Sequence, residues 1–130
     1  MSTQGYIYDD SFVADGAVSQ YRIVVAGDTA GHAKLPAAQD AAEILGVSQH
    51  STSASGDTVL VRRAGISKIT VGTSTVTRGV PLRAQDIRGI AGDQTAAWVS
   101  GDGVLGYAEE DSSASGDIIE CWLAIRQLLA

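Results

Sequence analysis

Leu45-Gly46-Val47-Ser48-Gln49-His50-Ser51-Thr52-Ser53-Ala54-Ser55-Gly56-Asp57 returns, 60 residues on, as Leu105-Gly106-Tyr107-Ala108-Glu109-Glu110-Asp111-Ser112-Ser113-Ala114-Ser115-Gly116-Asp117. The two stretches align without a gap, sharing the leading Leu-Gly and the closing Ser-Ala-Ser-Gly-Asp. Each then runs into a β-rich segment: Thr58-Val59-Leu60-Val61 after the first copy, Ile118 to Ile125 after the second. The Ser-rich centre is too polar for a core and ends in turn residues. The reading is a duplicated unit of strand, loop closing on Gly-Asp, and strand, over about 40–63 and 100–123.

The repeat also decides an ambiguous stretch. Pro36 to Gly46 looks helical, with Pro at its start and Gly beyond its end. Its counterpart, Ala96 to Gly106, carries Gly101 and Gly103 inside, which a continuous helix would not tolerate. Loop plus strand is therefore expected in both copies, with at most a short helical turn near Pro36. In the second copy Ile119, Cys121, Leu123 and Ile125 alternate with Glu120 and Trp122, a β period.

Further strands are expected around the repeat. Tyr21-Arg22-Ile23-Val24-Val25 is β-branched and aromatic and is closed by the turn Ala26-Gly27-Asp28. Ile66 to Val71 follows Thr58 to Val61 with Gly65 between them for a bend or bulge. Val80 to Arg83, Ala96 to Val99 and Val104 to Tyr107 are shorter candidates. The fold class is all-β: a small β-barrel or sandwich-like domain over residues 18–130, built from two related strand–loop–strand halves.

Residues 1–17 differ from the rest and read as an extended N-terminal arm. They hold Tyr6, Tyr8 and Phe12 beside Asp9, Asp10 and Asp15. Aromatic side chains on such a segment are typical interface anchors. Arg62, Arg63 and Lys68 form the densest basic group. They read either as charge guarding a strand edge or as a match for an acidic protein surface.

Composition narrows the function classes. The chain has 130 residues, 45% of them hydrophobic and 18% charged, which is one folded domain. Nine Lys and Arg against fifteen Asp and Glu give a net charge of −6, unsuited to nucleic-acid binding. No apolar run approaches a membrane span of ~20 residues, and Met1 to Gly5 shows no signal-peptide pattern, so a soluble protein of intracellular origin is expected. The lone Cys121 is read as a small buried apolar residue.

No constellation of catalytic residues emerges. Gly101-Asp102-Gly103-Val104-Leu105-Gly106 matches a dinucleotide fingerprint, but an acidic loop follows where a helix is required. His32, His50 and Cys121 lack zinc-ligand spacing. Glu109, Glu110, Asp111 and Asp117 lack the periodicity of a calcium loop. His50 has no nucleophile elbow near it, and its repeat counterpart is Glu110. No cofactor, metal or enzymatic activity is expected. One reading of such a chain is a soluble β-barrel ligand- or carbohydrate-binding module. It would need exposed aromatics, for which Trp98, Tyr107 and Trp122 are the candidates, although a ring in a strand-like segment is more often core.

Several short motifs occur in a fixed order: Gly27-Asp28, Ile44 to Val47, the Ser/Ala/Gly loop, Gly56 to Val61, Ala64 to Ile69, Val104 to Tyr107, and Gly116 to Ile119. In this respect the chain, over roughly residues 21–125, resembles the tailed-phage capsid decoration, or cement, proteins. The resemblance implies a non-enzymatic bacteriophage protein, made in the host cytoplasm, that sits on the outer surface of the assembled virion capsid and stabilises the head. It implies as partners the major capsid protein and neighbouring copies in a homo-oligomer, often a trimer. Tyr6, Tyr8, Phe12, Arg62, Arg63 and Lys68 are the candidate contact residues. The helix-like stretch from Pro36 to Leu45 and the apolar end, Ala124 to Ala130, depart from the family pattern.

Overall fold

The computed structural model describes residues 7–37, 41–72, 76–85, 88–92 and 102–127. Nine strands are described, in chain order β1 (Tyr8–Ala14), β2 (Ile23–Ala26), β3 (His32–Lys34), β4 (Ile44–Ser48), β5 (Thr58–Thr70), β6 (Pro81–Ala84), β7 (Ala91–Gly92), β8 (Gly103–Ala108) and β9 (Ile118–Gln127). No helix occurs among the described residues. The domain is all-β, as its alternating, β-branched segments require. The segment Ala96 to Val99, expected as a strand, lies outside the described residues, as do 38–40 of the Pro36 stretch.

The first five strands close into a barrel. β1 runs parallel to β3; β3 pairs antiparallel with β2, β2 with β4 and β4 with β5, and β5 returns to β1. The second ring uses the later part of β5. There Gly65 to Thr70 pair with β9, followed by β8, β6 and β7. A parallel bridge between Val71 and Ala91 brings β7 back to the end of β5.

Register shows that the second ring repeats the first. Val47 faces Arg62 in β4–β5, and Tyr107 faces Trp122 in β8–β9, each partner 60 positions on. Ile23 faces Val47 and Pro81 faces Tyr107. Ala14 runs parallel beside Ala33, and Val71 beside Ala91. β5 is therefore shared, its first part closing one ring and its second part opening the next. The two halves expected as separate strands around Gly65 form one strand, with Gly65 at φ 97° where the handover occurs.

The shared loop is built twice by the same atoms. Asp57 accepts from the backbone N–H groups of Ser53 and Ala54 (3.1 and 3.1 Å), and Asp117 from those of Ser113 and Ala114 (2.9 and 3.0 Å). Gly56 and Gly116 complete the turns at φ 96° and 88°, a region that favours glycine. The Leu-Gly that opens each copy has a packing cause. A Cβ on Gly46 would run into the carbonyl oxygen of Arg62, and one on Gly106 into that of Trp122.

Among the described residues, two apolar clusters form the core. The smaller holds Ala14, Val24, Ala33, Val59 and Val61, with Phe12, Leu35 and Leu45 against it. The larger joins Ile23, Val25, Ile44 and Val47 of the first ring to Ile69, Leu82, Leu105, Ile119, Cys121 and Leu123 of the second. On β2 the side chains alternate between clusters, Val24 into one and Ile23 and Val25 into the other. That strand is buried on both faces, and the rings pack through it.

Candidate functional site

Residues 8–14 of the expected N-terminal arm run as β1. The strand pairs with β5 from Tyr8–Ala64 to Val13–Thr58, and Phe12 packs on the smaller cluster. Tyr8 remains 42% exposed and Ile7 51%. Tyr6 lies outside the described residues.

The pairing of β1 with β5 consumes most of the basic group. Asp9 lies opposite Arg62, whose Nε and Nη2 donate to its two carboxylate oxygens at 2.8 and 3.1 Å. Arg62 Nη1 donates to the carbonyl of Ile66 at 3.1 Å. The hydrogen bonds from Arg62 to Asp9 raise the guanidinium pKa above its ordinary value. Arg63 lies over the Phe12 ring, 5.7 Å from its centroid, and 3.9 Å from Asp10. At Arg62 β5 is paired on both edges, with Asp9 of β1 and Val47 of β4, so that charge does not guard a free strand edge. Lys68 is exposed and faces Glu120 across the β5–β9 pair.

A different surface stands out at the equivalent place in the second ring. Where the first ring sets Val47 beside Arg62, the second sets Tyr107 beside Trp122. Their rings are 5.9 Å apart and inclined at 47°. Trp122 is 54% exposed. The expectation that these rings belong to the core fails for Trp122, because it shares the outer face of β9 with Glu120 and Arg126. Cys121 and Leu123 take the inner face. The alternation of the sequence already carried that signal. Arg126 lies over Tyr107, 5.8 Å from its centroid, and its Nη2 donates to the phenolic oxygen at 2.8 Å.

Beside this pair lies an open cleft of about 770 Å³, lined by Arg78, Gly79, Tyr107, Ala108, Glu109 and Trp122. Sequence reasoning singled out neither Glu109 as a cleft residue nor Arg78 and Arg126 as neighbours of the aromatic pair. Arg78 enters from the loop before β6, tied down by its N–H donating to Asp111 at 2.7 Å. Trp98, the third aromatic candidate, lies outside the described residues.

The histidines, Asp15 and Cys121 are engaged in structure. His32 Nδ1 meets Asp15 Oδ1 at 2.6 Å, while Asp15 Oδ2 accepts from the N–H of Asp28 at 3.0 Å. The Asp28 N–H, with the His32 bond, lowers the Asp15 pKa. His50 Nε2 accepts from the N–H of Leu60 at 3.1 Å. Burial pushes the Cys121 thiol up to about 12, far from a reactive thiolate. No group of three metal-ligating side chains occurs among the described residues. Gly103 and Gly106 of the fingerprint match sit inside β8, without a helix after them.

No protein-family model and no curated protein sequence matches the chain. Among solved structures, the chain is similar to the N base of head fiber gp8.5 in bacteriophage phi29. The likeness covers 96% of this chain and 100% of that one, with a TM-score of 0.63 and 18% sequence identity. It concerns the fold.

Proposed function

We propose that the protein is a non-enzymatic structural component of a phage head, which binds the outer surface of the assembled capsid and stabilises it. One observation carries this reading: the whole double ring, not a fragment of it, has its counterpart in a phage head-fiber base. The order of short motifs that resembles capsid decoration proteins supports the same reading from the sequence alone. The major capsid protein is the proposed partner, with copies of the protein forming a homo-oligomer, a trimer, at capsomer junctions. Many copies at fixed positions make modest contacts effective, because each bridges subunits that must separate together.

The contact surface we propose centres on Tyr8 and Lys68, with Ile7 beside Tyr8. These side chains are exposed, whereas Phe12 and Arg62 are half-buried with partners within the chain, and Arg63, though exposed, lies over the Phe12 ring. Tyr6 belongs to the same proposal through its sequence position. Removing residues 1–17 would delete β1 and open the first barrel, so it cannot serve as a clean binding test. The test is sedimentation of the purified protein with expanded heads of the phage that encodes it, followed by thermal melting of those heads. Saturable co-sedimentation and a higher head melting temperature are expected, both weakened by the double variant Ile7→Ser/Tyr8→Ser while its own melting temperature holds. Protein left in the supernatant at saturating concentration overturns the reading.

A further inference from the structure

We infer that the cleft between Trp122, Tyr107 and Arg78 is a saccharide-binding site, taking a short neutral oligosaccharide of pyranose rings. The inference does not depend on the capsid reading.

The duplication shows that the fold does not need an aromatic pair here. At the same two pleat positions the first ring carries Val47 and Arg62, with Arg62 held by Asp9. The second ring instead presents an exposed indole next to the Tyr107 ring at the mouth of a cleft, and contiguous apolar surface of this kind marks interaction sites and ligand grooves. A pyranose offers a C–H face that packs on an aromatic ring and a rim of hydroxyls that must be hydrogen-bonded. Around Trp122 the structure supplies both requirements. The Arg78 guanidinium donates, the Glu109 carboxylate accepts, and the Tyr107 hydroxyl, already receiving a bond from Arg126, retains its own proton to donate. Gly79 adds no side chain to the cleft wall.

Size and charge select the ligand class. A volume of about 770 Å³ falls in the range of small-molecule sites, roughly 300–1,000 Å³. The cleft wall sets one cation, Arg78, against one carboxylate, Glu109, so it offers no net positive charge to hold the phosphates that would accompany a stacked nucleobase. The Glu109 carboxylate on the cleft wall is of a residue type that protein interfaces are depleted in. A small, polar, uncharged molecule with one apolar face fits these constraints.

The test uses the full chain, fluorescently labelled, on a glycan array, with the Trp122→Ala variant as the control. The strongest neutral oligosaccharide is then titrated against the ¹⁵N-labelled protein. The Trp122 indole N–H is assigned by its loss in Trp122→Phe. Saturable movement of that resonance is expected, with affinity reduced at least about tenfold in Trp122→Ala at an unchanged melting temperature. Array binding no greater than that of Trp122→Ala overturns the inference. So does a Trp122 resonance that moves with protein concentration rather than with sugar, which would make the ring a self-association contact. Head sedimentation of Trp122→Ala separates the two proposals: the glycan site is supported only if the variant still binds heads while losing sugar. If it loses heads and no sugar binds the parent, the cleft is a capsid contact and the inference falls.

Discussion

Asp117 and Asp57 each close a loop with one carboxylate, and the cost of neutralising that carboxylate is measurable. The Asp117 pKa is lowered chiefly by the backbone N–H groups of Ser113 and Ala114, with Ser113 Oγ adding to them. A carboxyl whose pKa is depressed on folding stabilises the native state above its unfolded pKa. It loses that contribution as pH falls through the native value. Asp117→Asn should therefore lower the melting temperature at neutral pH. The gap to the parent should close below about pH 4. Melting curves across that range check this; a gap independent of pH would mean the charge is not what matters. His50 and Glu110 make a related point. As a mismatch within the repeat they look like variable, solvated loop positions. Yet His50 accepts the N–H of Leu60 and Glu110 that of Glu120, each ten residues on. One acceptor function is met by two residue types, which no comparison of letters reveals. His50→Glu should leave stability nearly unchanged, whereas His50→Ala should cost about 1 kcal/mol in denaturant titrations.

At the scale of elements, β1 shows where a strand hides from pattern reading. Tyr8-Asp9-Asp10-Ser11-Phe12-Val13-Ala14 has no clean alternation, because its charges are matched across the sheet rather than turned to water. Asp9 faces Arg62 from the far side of the repeat unit, a pairing visible only once the strands are in register. Phe12 was expected as an anchor onto another surface, and it packs on the protein's own barrel. β5 presented the opposite case, since Thr58 to Val61 and Ile66 to Val71 were both recognisable as strand. Gly65 between them permits a positive φ without ending the ladder, so two apparent strands are one. A double-mutant cycle on the pair across β1 and β5 tests how much this register depends on charge. Their side chains are only 24% and 23% exposed, so Asp9→Ala should cost about 1–3 kcal/mol by leaving Arg62 unmatched. Asp9→Ala/Arg62→Met should recover part of that loss. Additive losses would show that the pair contributes nothing to closing the barrel.

For the whole molecule, duplication with a shared strand makes a prediction about cooperativity. The repeated Leu-Gly and Ser-Ala-Ser-Gly-Asp motifs were sufficient to reveal two related units. They could not reveal that the units share β5, or that Val47 of the first lies in one cluster with Cys121 and Leu123 of the second. Those are long-range packing facts, carried by which face of each strand is turned inward. They imply that neither ring can open without exposing the apolar face it lends the other, so the chain should unfold in one transition. Cys121 is a built-in reporter: fully buried in the second ring, with its thiol pushed up to about 12, it should resist thiol reagents until the ring opens. Gly46→Ala forces a methyl group against the Arg62 carbonyl in the first ring, an overpacking that costs about 1–3 kcal/mol. If the rings unfold together, this distant change should speed Cys121 labelling by about tenfold for each 1.4 kcal/mol lost. Loss of the first ring's structure should then coincide with labelling across a denaturant series. Labelling that keeps its parental rate while the first ring melts would mean that the shared strand joins two independently stable halves.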